Sequence, residues 1–187
     1  MKTWEILEGA CLSCRKCPLW ETRTNVVVGT GNKNSKIMFV GEGPGEQEDL
    51  QGQPFVGPAG KLLDKMLGAI DMKREDIYIT NIVKCRPPYN RDPKEEEQSA
   101  CMNYLRYQLK LIEPKIIVCL GRIAAKAIIS PDFKITSQHG IWYEKKGYYF
   151  IATYHPSALL RDPSKKYPAW EDLKKIREKY LEILGGK

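Results

Sequence analysis

Short apolar runs alternate with amphipathic stretches along this chain, and that alternation narrows the possible folds more than any other feature. Residues 25–29 (NVVVG), 36–40 (KIMFV), 77–80 (IYIT), 115–120 (KIIVCL) and 149–153 (YFIAT) read as buried strands. Helical patterns separate them. Leu62, Leu63, Met66, Leu67 and Ile70 recur at helical spacing after Gly60. A second helix is expected from near Pro93. Its acidic first turn, Glu95–Glu97, suits the positive end of a helix dipole, and it carries Cys101, Leu105, Leu109 and Ile112. Residues 3–10 and the run RIAAKAII read as short helices. Residues 169–184 read as a longer one, with Trp170, Leu173, Ile176, Tyr180 and Leu184 on one face. Strands that alternate with helices predict an α/β fold, with a mainly parallel sheet covered on both faces. The chain has 187 residues, enough for a sizeable core, and without repeats or linkers it is expected to form a single domain over 1–187.

Cysteines supply the second constraint. Cys11, Cys14 and Cys17 form C-x2-C-x2-C, while Cys85 and Cys101 stand far downstream with fifteen residues between them. Two pairs brought together by the fold would make a four-thiolate site, which holds either zinc or an iron–sulfur cluster. Spacing leaves open which two of the first three cysteines take part. Only one pair is close, unlike the two close pairs of a zinc ribbon, and that favours a cluster. Cys119 lies inside an apolar strand and reads as a core thiol.

Composition bounds the setting. The N-terminal MKTWEILEGACLSC lacks the apolar stretch of a secretory signal, and no run of 18 apolar residues suggests a membrane span. A cytoplasmic location is expected, where thiols stay reduced and serve as ligands rather than disulfides. The formal net charge of +7 suits phosphate neutralisation, although a basic soluble protein would show the same excess.

Three polar loops follow predicted strands, where an open α/β sheet places its ligand crevice. The loop Gly41-Glu42-Gly43-Pro44-Gly45 exposes backbone donors, or is an ordinary turn. Phe55, further along, either plugs the core or stacks on a base. Asn81 follows IYIT and offers both a donor and an acceptor, for a ligand or for the strand end. His155 follows YFIAT and could donate to a developing anion. His139, in SQHGIW, shows no partner and reads as a turn residue.

The blocks CPLWETRTNVVVGTG, GEGPGEQEDLQGQPFVGPAGKLL, TNIVKCRPPYNRDP and YHPSALLR, with the Cys101 helix between the last two, occur in an order and spacing that resemble the family 4 uracil-DNA glycosylases. The similarity runs over nearly the whole chain. It implies a three-layer α/β/α fold around a four-stranded, mainly parallel sheet. It also implies one [4Fe-4S] cluster on Cys14, Cys17, Cys85 and Cys101, leaving Cys11 and Cys119 spare. The implied activity is excision of uracil from DNA, with release of the free base and an abasic site; nothing in the sequence suggests obligate oligomerisation, so a monomer is expected. A base flipped from the duplex would enter a slot made by Gly41, Glu42 and Gly43. Phe55 would stack on it, Asn81 would read its O4/N3 edge, and His155 would bond O2 and stabilise the departing anion.

Glu42 would hold the water or stabilise the sugar cation. Some superfamily members carry an aspartate where this chain has Gly43, so leaving-group stabilisation gains weight here. Glu48 and Asp49 are alternative acids. The resemblance further implies DNA contacts by Lys84, Arg86, Ser157 and Arg161, with Arg91 and Lys61 as further candidates. Leu159, or its neighbour Leu160, would wedge into the vacated stack. A sister branch that captures uracil-DNA covalently carries an inserted, basic, histidine-containing loop. The segment CRPPYNRDPKEEE has neither the insertion nor the histidine. A non-catalytic metal-binding module would give Phe55, Asn81 and His155 no reason to converge.

Overall fold

The computed structural model describes residues 3–185. Its helices are α1 (Trp4–Leu12), α2 (Glu46–Gln51), α3 (Pro58–Gly68), α4 (Glu95–Ile112), α5 (Arg122–Ile128), α6 (Ile135–Gln138), α7 (Pro156–Arg161) and α8 (Lys166–Gly185). Its strands are β1 (Thr30–Gly31), β2 (Ile37–Gly41), β3 (Tyr78–Asn81), β4 (Ile116–Leu120), β5 (Tyr143–Lys145) and β6 (Tyr148–Thr153). Among the described residues the strands form one six-stranded sheet in the order β1-β3-β2-β4-β6-β5.

The four expected parallel strands are its centre: β2 pairs in parallel with β3 and β4, and β4 with β6. The four-strand count is corrected to six, because antiparallel β1 and β5 add an edge on each side. The NVVVG strand is also corrected. Residues 25–29 run as extended chain, and Val27 N–H donates to Lys84 O at 2.8 Å; the sheet pairing falls just beyond, at Thr30–Gly31. Residues 143–145 escape sequence reading because they are mostly exposed and lack an apolar run.

The period-two geometry of a strand explains the layers. In β2, Met38 and Val40 face a core formed with Leu7, Tyr104, Leu105, Ala124 and Ala125, from α1, α4 and α5. Ile37 and Phe39 face the opposite core, formed with Leu63, Leu67, Leu173 and Ile176, from α3 and α8. Central strands buried on both faces read as continuous apolar runs, which is why β2 and β4 are legible in the sequence. Helix α4 starts where Glu97 accepts the Lys94 N–H at 2.8 Å and stops where Glu113 turns left-handed at φ 51°.

A buried polar network crosses the seam between β3 and α4. Lys84 Nζ donates to Thr80 Oγ1 (2.6 Å), to the Asn81 carbonyl (2.7 Å) and to Gln108 Oε1 (2.8 Å). Thr80 Oγ1 and Gln108 Nε2 both donate to Val28 O at 2.8 Å. Lys84 is 2% exposed, so the expectation that it touches DNA is corrected: its ammonium is consumed inside the protein. Lys84→Met keeps the volume but strands three buried acceptors. The expected cost is about 3 kcal/mol, measured by urea unfolding. A loss under about 0.5 kcal/mol would mean that the ammonium does not hold this seam.

Candidate functional site

The parallel register aligns Gly41, the last residue of β2, with Asn81, the last residue of β3. Both strands, together with β4 and β6, point their C-terminal ends at one cavity of about 480 Å3. Glu42, Gly43, Phe55, Asn81, His155, Ser157 and Arg161 all line it. The three strand-end loops therefore meet as expected.

Asn81 is 2% exposed, and its Oδ1 is the one buried side-chain polar atom without a hydrogen-bond partner among the described residues. An acceptor left bare in this way is costly unless a ligand donor completes it. Gly41 makes room for that amide. A Cβ on Gly41 would stand 2.4 Å from Asn81 Oδ1 and 2.7 Å from the Phe55 ring.

Phe55 is buried and held in the left-handed region at φ 54°. Its loop is fixed from behind. Glu48 Oε1 accepts the N–H groups of Val56 and Gly57, both at 2.8 Å, and Arg74 donates to Phe55 O. Gly60 lets α3 pass close by, since a Cβ there would fall 1.8 Å from Phe55 O. These contacts set the Phe55 ring 5.6 Å from the His155 ring, with planes tilted by 31°. Glu48 and Asp49 thus have structural duties. Asp49 accepts the N–H groups of Thr24 and Asn25 at 3.0–3.2 Å.

His155 caps α7. Its Nδ1 accepts the Ser157 N–H at 3.1 Å, and Ser157 Oγ stands 2.8 Å from the same nitrogen. An amide N–H can only donate, so Nδ1 is the acceptor and Nε2 carries the proton. The ring is partly open to the cavity yet surrounded by protein. Burial, helped by the Arg161 charge, lowers its pKa to about 4. His155 is therefore a neutral Nε2–H donor at physiological pH.

Glu42 shows the opposite shift. Burial, then the neighbouring Asp92 carboxylate, raises its pKa to about 7, while Arg122 and Arg161 act against the rise. Arg122 Nη2 donates to Asp92 at 2.6 Å. Sequence reasoning missed Asp92 and Arg122 as cavity residues. Arg122 stood in plain view, two residues past the end of β4, where the strand-end rule applies.

The other expected contacts divide. Ser157 and Arg161 line the cavity. Arg86 bonds Asn90 Oδ1 at 2.8 Å and Glu46 at 3.5 Å beside the mouth. Arg91 grips Glu97 at 2.7 Å. Leu159 is 2% exposed and packs in the core, which corrects its expected role as a wedge; Leu160, 49% exposed, faces solvent instead. His139 is also corrected. Its Nδ1 lies 2.9 Å from Asp172, to which Thr153 donates at 2.7 Å, and its ring packs 4.8 Å from Tyr154, bracing the end of β6 two residues before His155.

A second, smaller cavity is lined by Cys14, Cys17, Cys85 and Cys101, with Cys11 as a fifth thiol. Among the described residues no three His, Cys, Asp or Glu side chains are close enough to hold a single metal ion. Cys119 sits apart in β4, fully buried. Donors already point at the sulfurs: Lys84 N–H at Cys101 Sγ (3.3 Å) and Arg23 Nη1 at Cys85 Sγ (3.2 Å). Burial raises the Cys101 thiol to about 11 and Cys11 to about 12, and the nearby Lys84 charge works against both shifts. The four thiols, the sulfur-directed N–H groups and the two cations fit an anionic iron–sulfur group.

A sequence profile described as the uracil DNA glycosylase superfamily matches residues 28–174. The type-4 uracil-DNA glycosylase of Sulfurisphaera tokodaii is 48% identical over 204 aligned positions, covering 100% of this chain and 93% of that protein. That of Archaeoglobus fulgidus is 51% identical over 175 positions, covering 89% and 88%. That of Thermotoga maritima is 46% identical over 179 positions, covering 92% of each. With a profile match across most of its length and relatives of this similarity, the chain belongs to the uracil-DNA glycosylase superfamily, and within it to the type-4 branch.

Proposed function

We propose that this protein flips uracil out of DNA and hydrolyses its N-glycosidic bond, releasing free uracil and leaving an abasic site. The observation that carries the reading is the bare Asn81 Oδ1, buried at the end of a slot walled by Phe55 and the neutral His155. Uracil presents an N3–H to Oδ1 and a carbonyl O4 to the Asn81 amide. Cytosine has no proton on N3 and an amino group in place of O4, so it faces the same amide with the wrong polarity. Phe55 stacks on the ring.

When the bond from C1′ to N1 breaks, its electron pair leaves with the base and charge builds on O2. The Nε2–H of His155 donates to that oxygen without giving up its proton. Water then adds at C1′. Glu42, once ionised, stabilises the cationic sugar and takes the proton of that water. Arg161 and Ser157, on the same wall, suit the flanking phosphates. Leu160 fits the wedge role by its exposure.

Cys14, Cys17, Cys85 and Cys101 would hold one [4Fe-4S] cluster. When bound, it cross-links the N-terminal segment to the 85–101 segment and leaves excision, which needs no electrons, to the strand-end residues. No helix among the described residues is long and apolar enough to cross a membrane. We further propose a cytoplasmic monomer that folds as one domain.

Five outcomes are expected. His155→Ala should lower kcat for uracil release by about a hundredfold to a thousandfold. Asn81→Asp should lower it at least as far, because a carboxylate repels O4. Both are read by release from single-stranded and duplex DNA, and full activity in both variants would refute the slot. Because the Glu42 pKa is raised to about 7, its carboxylate is lost as pH falls through that value. The kcat/KM should therefore climb from pH 5.5 to 8, and that limb should vanish in Glu42→Gln. Anaerobically purified protein should carry about four iron and four sulfide per chain. Cys85→Ser should lose visible absorbance and lower the thermal midpoint.

A further inference from the structure

The segment between Cys85 and α4 contains a feature that the slot does not use. Tyr89 is 98% exposed, the most exposed of the large apolar side chains among the described residues. Burial therefore gives nothing for keeping an aromatic ring there. Its backbone is also costly: Tyr89 sits at φ 57° and Asn90 at φ 55°, two consecutive left-handed residues other than glycine.

The segment is held rather than loose. Asn90 N–H donates to Pro87 O at 3.1 Å, and Arg91 N–H to Pro88 O at 3.2 Å. Arg86 Nε grips Asn90 Oδ1 at 2.8 Å, and Arg91 anchors the far side on Glu97. Pro87, Asn90, Arg91 and Asp92 line the same cavity as Asn81 and His155, so the ring of Tyr89 projects from the rim of the base slot. Strain held by a pinned backbone, an unsupported aromatic ring and flanking guanidinium groups together describe a platform for a nucleobase.

We infer that Tyr89 stacks on a base next to the flipped nucleotide, on the same DNA strand. The inference rests on the DNA reading above. The flipped uracil occupies the slot and its neighbour meets the rim, where one ring face covers one base face. Stacking of this kind accepts any base and needs the aromatic plane, not the phenol hydroxyl.

The test measures binding of the full-length protein to single-stranded oligonucleotides. Each carries one 2′-fluoro-2′-deoxyuridine, which resists hydrolysis, so the only bases present are neighbours on the same strand. Tyr89→Phe and Tyr89→Trp should bind within about twofold of wild type. Tyr89→Leu and Tyr89→Ala should weaken binding about tenfold, in the range of one lost stack.

Removing the neighbouring base on each side in turn should identify one side. Its loss weakens wild type by the same factor, and there wild type and Tyr89→Ala become equal. Tyr89→Asn supplies a readout that a structural role would not give. Asn tolerates positive φ, so its thermal midpoint should stay level or rise while affinity falls.

The inference is overturned if Tyr89→Ala binds like wild type, if its deficit survives removal of the neighbouring base on each of the two sides in turn, or if Tyr89→Asn loses stability and affinity together. Wild-type uracil release is measured in parallel on cleavable DNA. Its absence would sink the excision reading, whereas normal release with an indifferent Tyr89 would sink only this one.

Discussion

Lys84 places an ammonium where water cannot reach, and oxygens of Thr80, Asn81 and Gln108 must stay in position to hold it. Leaving such a charge unpaired would cost several kcal/mol, so the surrounding elements have little freedom. The end of β3 is fixed through Thr80 and the Asn81 carbonyl, and α4 through Gln108. The backbone N–H of the same residue points at Cys101 Sγ. One residue therefore ties the end of β3 at the slot to the cavity that gathers the thiols. Arg23 repeats the arrangement from the N-terminal side, bonding Cys85 Sγ and the carbonyls of Cys14 and Leu12.

The slot shows a second economy. Two of its titratable groups, His155 and Glu42, are pushed apart by the same burial. Desolvation disfavours charge on both, so His155 becomes an uncharged donor and Glu42 a carboxylic acid that ionises near neutrality. Two cations temper this. Arg161 reinforces the neutral imidazole while it assists the Glu42 carboxylate. Arg122, paired with Asp92, adds to the second effect. A phosphate arriving beside Arg161 would alter both balances at once and so would link its binding to the charge state of the slot.

Much of this is legible in the sequence, for identifiable reasons. The strands β2, β3, β4 and β6 fall in short, mostly apolar runs; Glu42 follows β2 directly, Asn81 closes β3, and His155 stands two residues past β6. What escapes depends on packing that pattern cannot report. Lys84 looks like a phosphate ligand because lysine is seldom buried; only the folded seam supplies its three acceptors. Leu159 and Leu160 are indistinguishable until α7 turns one inward. Residues 25–29 have the composition of a strand, but the adjoining 82–85 segment takes the Val27 N–H first. His139 finds Asp172 across 33 positions of chain, too far for any local signal.

The register of Gly41 against Asn81 carries one more consequence. The separation of the two strands there, about 4.8 Å, is set by ladder hydrogen bonds rather than by side-chain rotamers. Rotamers soften long before a central parallel sheet does. The floor of the slot is thus built on the last part of the molecule to yield on heating. The shape of the slot floor and the cooperative fold should therefore share a single temperature limit.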